Sequence, residues 1–358
     1  MSACEVDACV LAEKGAATLA SDDNGPVAVL GGTGFIGGYV ARALAADGRR
    51  VTAYARREPS TEMLAVLREE AERIAVAHGS ISNLPDLVAK VRAIKPSAIV
   101  HAAANVDVPS LLRDPYLAFT ENVTGTINVF EAARLLDVRR VIFFSSIGVL
   151  PPRRYEPIDV NHPVILARSG PGTGSYGAAK ASGELFAYAY CQAYDLDIRI
   201  IRPSAVYGFG MPWHSANNIK ELVEPAVRGE PAELVSGGTL PRDYTHVQDV
   251  ADLTVAVLNA GDDTDKIFYA ATGQALADAN DVAGIIMDLI PGASISVSNA
   301  STPLDDMEAS FRGILSIANS REQLGWTPRF ADLREGIAEY ISRYRDFLTE
   351  GEQVRALA

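Results

Sequence analysis

Val27-Ala28-Val29-Leu30 runs directly into Gly31-Gly32-Thr33-Gly34-Phe35-Ile36-Gly37-Gly38. A short apolar run that ends in glycines reads as a buried strand. Tyr39, Val40 and Leu44 then recur with helical spacing. Glycines 32, 34 and 37 fit G-x-G-x-x-G, and glycines 31, 34 and 37 fit G-x-x-G-x-x-G. Strand, tight turn and helix in this order let the backbone approach a pyrophosphate and set a helix N-terminus, with its free N–H groups and positive dipole end, against the phosphates. Glycine spacing alone recurs by chance; the strand before it and the helix after it carry the dinucleotide reading.

From residue 26 to about 205, short β-branched or aromatic runs alternate with longer helical patterns. Strands are expected at Val27–Leu30, Val51–Tyr54, Ile74–Ala77, Ala98–Val100, Val141–Phe144 and Ile198–Ile201. Helices are expected at Met63–Ala71, Leu84–Ile94, Tyr116–Leu136 and Tyr176–Tyr194. Strands that are apolar throughout, separated by helices, predict an α/β fold: a Rossmann-like, doubly wound parallel sheet. Beyond Tyr207 the rhythm changes to loops and shorter elements, with helices expected at Asn217–Val227, Val250–Leu258, Val282–Ile290 and Leu333–Phe347 and a strand at Ile267–Ala270. The expected organisation is an N-terminal extension (1–25), a dinucleotide-binding domain (26–205), a smaller substrate-binding lobe (206–345, with some segments returning to the sheet) and a tail (346–358). A substrate belongs in the cleft between sheet and lobe.

The 358 residues carry a net charge of −13, and 48% are hydrophobic. This is an ordinary globular composition, and its acidity argues against nucleic acid or an anionic membrane as partner. Three cysteines at 4, 9 and 191 form neither a disulfide framework nor a metal spacing, so no metal site is expected. The first 25 residues lack a basic leader and contain Glu5, Asp7 and Glu13, so they do not read as a secretory signal. The expected compartment is cytoplasmic.

The second strand ends at Ala55, Arg56 and Arg57, where NAD sites place an acid for the ribose 2′-hydroxyl. A missing acid beside guanidinium groups favours a 2′-phosphate, hence NADP, with NAD possible. The strand Val141–Phe144 delivers Ser145 and Ser146. Thirty residues on, Tyr176 and Lys180 share a helix face at i, i+4. An ammonium beside a phenol lowers the phenol's pKa, so the tyrosine can exchange a proton with a hydroxyl or carbonyl while hydride moves to or from nicotinamide.

Together these motifs resemble the extended short-chain dehydrogenases/reductases, the group of nucleotide-sugar epimerases, dehydratases and related reductases. The resemblance spans roughly residues 26 to 345. It also rests on His101-Ala102-Ala103-Ala104, Asn122-Val123-Thr124-Gly125-Thr126, Arg202-Pro203-Ser204-Ala205-Val206-Tyr207-Gly208, Arg242-Asp243-Tyr244-Thr245-His246-Val247 and Leu324-Gly325-Trp326-Thr327-Pro328. It implies a catalytic triad of Ser146, Tyr176 and Lys180, with Tyr176 as acid/base and Lys180 also on the nicotinamide ribose. It implies cofactor contacts at Gly31, Gly34, Phe35, Ile36 and Gly37, at Arg56, Ser80 and Ile81, and at Ala102, Ala103, Asn122 and Pro203. Ser146, Asn218 and Arg242 would meet the substrate, the last two at positions that hold a nucleotide-sugar diphosphate in many members. A homodimer through the helices at 116–136 and 176–194 is implied as well.

Three departures stand out. Ser80 replaces the usual acid after the third strand. Val149-Leu150-Pro151 replaces Val-Tyr-Gly. The stretch from Ser146 to Tyr176 is long, with Pro151-Pro152-Arg153-Arg154 and Gly170-Pro171-Gly172-Thr173-Gly174 bordering the substrate. Other residues take plainer readings: His101 and His246 as buttresses, His162 and His214 in loops (His214 within reach of substrate), Trp326 as a packing anchor, and the arginine pairs at 49–50, 139–140 and 153–154 as solvated faces. Arg242 could equally pair with Asp243 or Asp249. Ile147-Gly148 after Ser146 leaves no Asp-Glu pair for water elimination, which disfavours a dehydratase. Three functions stay open: a nucleotide-sugar epimerase, favoured by Asn218 and Arg242; an NADP-dependent reductase or dehydrogenase of a sugar, hydroxy acid or alcohol; and a non-catalytic dinucleotide-binding protein.

Overall fold

Seven parallel strands run in the spatial order 3-2-1-4-5-6-10, as expected for a doubly wound sheet. A computed structural model describes residues 25–163, 170–213 and 218–356 of the chain. The extension at 1–24, His214 and Asn217 lie outside the described residues. The first half of the sheet is built from β1 (Val27–Leu30), α1 (Phe35–Ala46), β2 (Val51–Ala55), α2 (Thr61–Arg68), β3 (Ile74–His78), α3 (Leu84–Ile94) and β4 (Ala98–His101). Then come α4 (Val108–Arg113), α5 (Pro115–Leu117), a π-turn at Ala118–Val123 and α6 (Thr124–Leu135). The sheet continues with β5 (Arg140–Phe144), α7 (Gly174–Tyr194) and β6 (Asp197–Pro203).

Side chains alternate across each strand, so every strand feeds two cores. Val27 and Val29 join the cluster beneath α1, while Ala28 and Leu30 join the one that contains Leu87, Val91 and Phe130. All four are fully buried. Coverage on both faces explains why these strands are apolar without alternation. Because the strands are parallel, their C-terminal ends lie along one edge, and the residues after β1 to β6 gather there.

The lobe begins with β7 (Ala205–Tyr207), α8 (Ile219–Arg228), β8 (Ala232–Leu234), β9 (Tyr244–His246) and α9 (Val247–Asn259). Next, β10 (Ile267–Ala270) returns to the edge of the main sheet beside β6. The chain ends with α10 (Ala279–Leu289), β11 (Ile295–Val297), α11 (Pro303–Phe311), α12 (Ala318–Leu324) and α13 (Leu333–Ala356). β7 pairs with β9 and β8 with β11, both in parallel.

Several expectations change. The helix expected at Met63–Ala71 ends at Arg68, and a 3-10 turn at Ala71–Arg73 leads into β3. The helix expected at 116–136 is interrupted by the π-turn, a feature that recurs at functional sites. α13 continues to Ala356, through the segment assigned to a tail. Arg49 is buried and donates to Asn259 at 2.6 Å, and Arg140 reaches Asp197 at 2.6 Å, so neither belongs to a solvated face.

Candidate active site

The loop after β1 is shaped by what a side chain would strike. A Cβ on Gly37 would lie 2.2 Å from the Gly31 carbonyl oxygen, and one on Gly31 would lie 2.7 Å from the Ala103 nitrogen. Gly31 also has φ of +88°, a conformation that L side chains rarely adopt. Gly34 is the exposed N-cap of α1, and no side chain caps that helix. The first N–H groups of α1 are therefore left for an anion, and the cradle fits a dinucleotide pyrophosphate. Phe35 and Ile36, half-buried, open α1 and pack on the core.

The remaining expected cofactor positions lie at the ends of neighbouring strands, except Asn122, which lies in the π-turn. Thr33 donates to the Arg57 carbonyl at 2.9 Å, tying the loop to the end of β2. The Arg56 side chain is 55% exposed and contacts Glu121 at 3.4 Å. Past β3, Ser80 Oγ accepts from the Ser82 N–H, and the Ile81 side chain fills the space above Gly125. Past β4, Ala102 and Ala103 are half-buried beside Gly31. Asn122 is buried, and both ends of its amide bond the Asn105 backbone, at 2.8 and 2.9 Å, so it holds the loop after β4. Pro203 closes β6 against Ala270.

Ser146, Tyr176 and Lys180 come together between the end of β5 and the start of α7. Ser146 caps the turn at Ile147–Val149, where its Oγ accepts from the Gly148 N–H at 3.0 Å. Burial pushes the Tyr176 phenol up to about 12, opposed by a hydrogen bond with Ser146. Burial brings Lys180 down to about 8, opposed by Glu184 one turn along α7. Lys180 Nζ donates to the Phe144 carbonyl at 2.7 Å and lies 5.9 Å from the Tyr176 ring centre. The expected ammonium–phenol pairing is thus only partly formed: serine touches the phenol, and lysine is held from β5.

His101, His162 and His246 keep the plain readings. His101 is fully buried, 3.0 Å from Thr126 Oγ1, and burial with the nearby Lys180 charge brings it down to about 3. His246 is buried 3.1 Å from Glu339 and against Phe330. His162 Nε2 accepts from the Arg154 N–H at 3.0 Å in the loop after β5. Trp326 is buried as a packing anchor.

Arg242 is buried at the end of the lobe's loop before β9, with Nη1 on the Leu240 carbonyl at 3.1 Å and no partner for Nε among the described residues. The ion pairs considered for it do not form: Asp243 accepts from Thr245 and Thr272, and Asp249 from the Arg329 and Phe330 N–H groups. Asn218 is the N-cap of α8 in a left-handed conformation, φ 58°. Sequence reasoning missed Arg312, which follows α11. It is buried, pairs with Glu308, and has no partner for Nε or Nη1 among the described residues. Burial lowers its pKa; Glu308 opposes this, and the charge of Arg242 adds to it. Tyr244 lies in the field of both arginines. Of these two buried guanidinium groups only Arg312 has a carboxylate, Glu308, and buried donors left short of partners are suited to receive an anion. The available signal was Thr302-Pro303-Leu304-Asp305, a capping box that opens α11 and so places Arg312 at its end.

Among the described residues, no cluster suits a metal ion and no helix is long and apolar enough to cross a membrane. The family model for the NAD dependent epimerase/dehydratase family matches residues 27–271. A UDP-glucose 4-epimerase of Mycolicibacterium smegmatis is 30% identical over 327 residues, 89% of this chain and 98% of that one. A dTDP-glucose 4,6-dehydratase of the same organism is 26% identical over 336 residues, 88% and 92% of the two chains. The crystal structure of the Thermus thermophilus UDP-glucose 4-epimerase in complex with NAD superimposes with a TM-score of 0.76 at 25% identity, covering 89% of this chain and 99% of that one. With this family match, a full-length relative at 30% identity and the same parallel-sheet fold, the chain belongs to the NAD-dependent epimerase/dehydratase family of extended short-chain dehydrogenases/reductases.

Proposed function

We propose that the protein is a nucleotide-sugar epimerase. The carrying observation is the pairing of a Ser146–Tyr176–Lys180 site with a buried two-arginine cluster, which offers one place for chemistry at a sugar carbon and another for a diphosphate. When bound, the dinucleotide supplies a nicotinamide that accepts a hydride and returns it. In its phenolate form, which the Ser146 hydrogen bond favours against burial, Tyr176 Oη takes the proton of the sugar hydroxyl as hydride departs and gives it back on return. Ser146 is oriented by the Gly148 N–H on its oxygen, which leaves its own proton to stabilise the Tyr176 oxygen. Lys180 supplies positive charge from the β5 side. Arg242 and Arg312 bind the diphosphate, and Asn218 sits at the start of α8 to meet it.

The cofactor is read as NADP, supported by Ala55-Arg56-Arg57 without an acid. The Arg56–Glu121 contact is exposed and worth at most about 1 kcal/mol, so a 2′-phosphate could replace it. Homodimerisation is supported by exposed apolar residues on the helices expected to pair, with Tyr116 and Leu185 each 72% exposed and Phe119 and Phe186 about half exposed. A cytoplasmic location goes with this reading. Native mass spectrometry of the purified protein tests it. A retained dinucleotide, with conversion between 4-epimers of a nucleotide sugar, is expected. An empty site with stoichiometric NADPH consumption would replace the epimerase with an exchanging reductase.

A further inference from the structure

The two stretches that set the Ser146–Tyr176 segment apart grip the same piece of the lobe. Arg153 donates its backbone N–H to the Ser310 carbonyl at 2.9 Å and its guanidinium to the Arg312 carbonyl at 2.5 Å. Glu156 accepts from the Ile314 N–H at 3.2 Å. Ile158, fully buried, bonds Ile314 at 2.7 Å and Ser316 at 2.8 Å in a short parallel bridge. Gly313 sits close under this loop, where a Cβ would lie 2.4 Å from Glu156 Oε1 and 3.0 Å from Ile158 Cδ1. From the other stretch, Gly172 packs against the Phe311 ring, where a Cβ would come within 2.0 Å of a ring carbon. Arg153 remains exposed, as expected, yet it tethers the backbone of the very residue whose guanidinium is left short of partners.

The geometry points to Arg153 and Gly172 as positioning residues that select the substrate. They fix Phe311 and Arg312 to the segment that also carries Ser146 and leads into Tyr176, and so set the spacing between the reacting sugar carbon and the diphosphate. This rests on the nucleotide-sugar reading. A substrate whose anion stands at a different distance from the sugar would meet the two arginines less well. The clamp is physically suited to this, because it joins both ends of the site through backbone hydrogen bonds and a ring contact rather than through flexible side chains alone.

The test is titration of the full-length protein with UDP, and with uridine by competition, alongside kcat and KM for a UDP-sugar. Arg153→Ala is expected to weaken UDP about tenfold, to leave uridine unchanged, and to raise KM more than it lowers kcat. Arg153→Lys, which can still bond one carbonyl, is expected to fall between. Gly172→Ala displaces Phe311 without removing a hydrogen bond and should show the same selective loss, which keeps the test informative if Arg153→Ala folds poorly. Equal weakening of UDP and uridine, or wild-type UDP affinity in both Arg153→Ala and Gly172→Ala while Arg312→Met has lost it, would overturn the clamp. Failure of the wild-type protein to bind UDP at all would instead overturn the nucleotide-sugar reading, and the clamp with it.

Discussion

The glycine cradle after β1 is made of backbone, whereas the anion site of the lobe is made of side chains. In the cradle, seven consecutive residues supply the turn, and Gly31 and Gly37 are each explained by a backbone atom that a Cβ would strike, at Ala103 and at Gly31 itself. In the lobe, Arg242 and Arg312 stand seventy residues apart in the chain, and their unpartnered nitrogens depend on where α11 docks. A ligand held by N–H groups at a helix start needs a local conformation. A ligand held by buried guanidinium groups needs the tertiary fold to desolvate them and to withhold their partners.

Four changes break or sharpen this contrast. The largest effect is expected where the two regions meet. Tyr176→Phe should lower turnover by about 10²–10⁴-fold, the range for a general acid–base group, with dinucleotide affinity retained. Near-normal turnover would remove Tyr176 from the chemistry.

Lys180 gives the next largest. Its folded pKa of about 8 is below the ordinary lysine value of 10.5, so between these pH values the unfolded chain binds more protons and stability rises with pH. Unfolding measured from pH 7 to 10.5 should show wild type gaining about 3 kcal/mol relative to Lys180→Met. A constant difference would place the ammonium in water.

Gly37→Ala tests the backbone side. Forcing a methyl against the Gly31 carbonyl should cost about 1–3 kcal/mol. The loss should appear as weaker dinucleotide binding in a fluorescence titration, with UDP binding spared. Arg242→Met tests the side-chain side. Loss of one charge-assisted contact, with Arg312 kept, should weaken UDP by about 1.5 kcal/mol while dinucleotide titration stays unchanged. If each substitution disturbed both ligands equally, the two regions would not be separable.

Much of the sheet is legible from local pattern. Val27–Leu30, Leu84–Ile94 and Ile267–Ala270 have the expected bounds because buried parallel strands and amphipathic helices write their environment into composition. The π-turn at Ala118–Val123 is not legible, since it shifts a hydrogen-bond register without changing the apolar spacing. Arg153 shows the same limit at the site. Arg-Arg in a proline-rich loop reads as solvated charge, and only the approach of residues 309–316 gives its guanidinium carbonyls to bond.

The sequence by itself determined the sheet, the glycine cradle and the Ser146, Tyr176 and Lys180 positions, because each leaves a local pattern: apolar runs, glycine spacing, a strand's exit and an i, i+4 pair. The tertiary structure alone decided that Lys180 is held by Phe144, that Arg242 lacks a carboxylate partner among the described residues, and that Arg312 lies near it. Burial and the absence of a partner are properties of surroundings, and those surroundings are assembled from β5, the loop before β9 and α11, segments that no local pattern brings together.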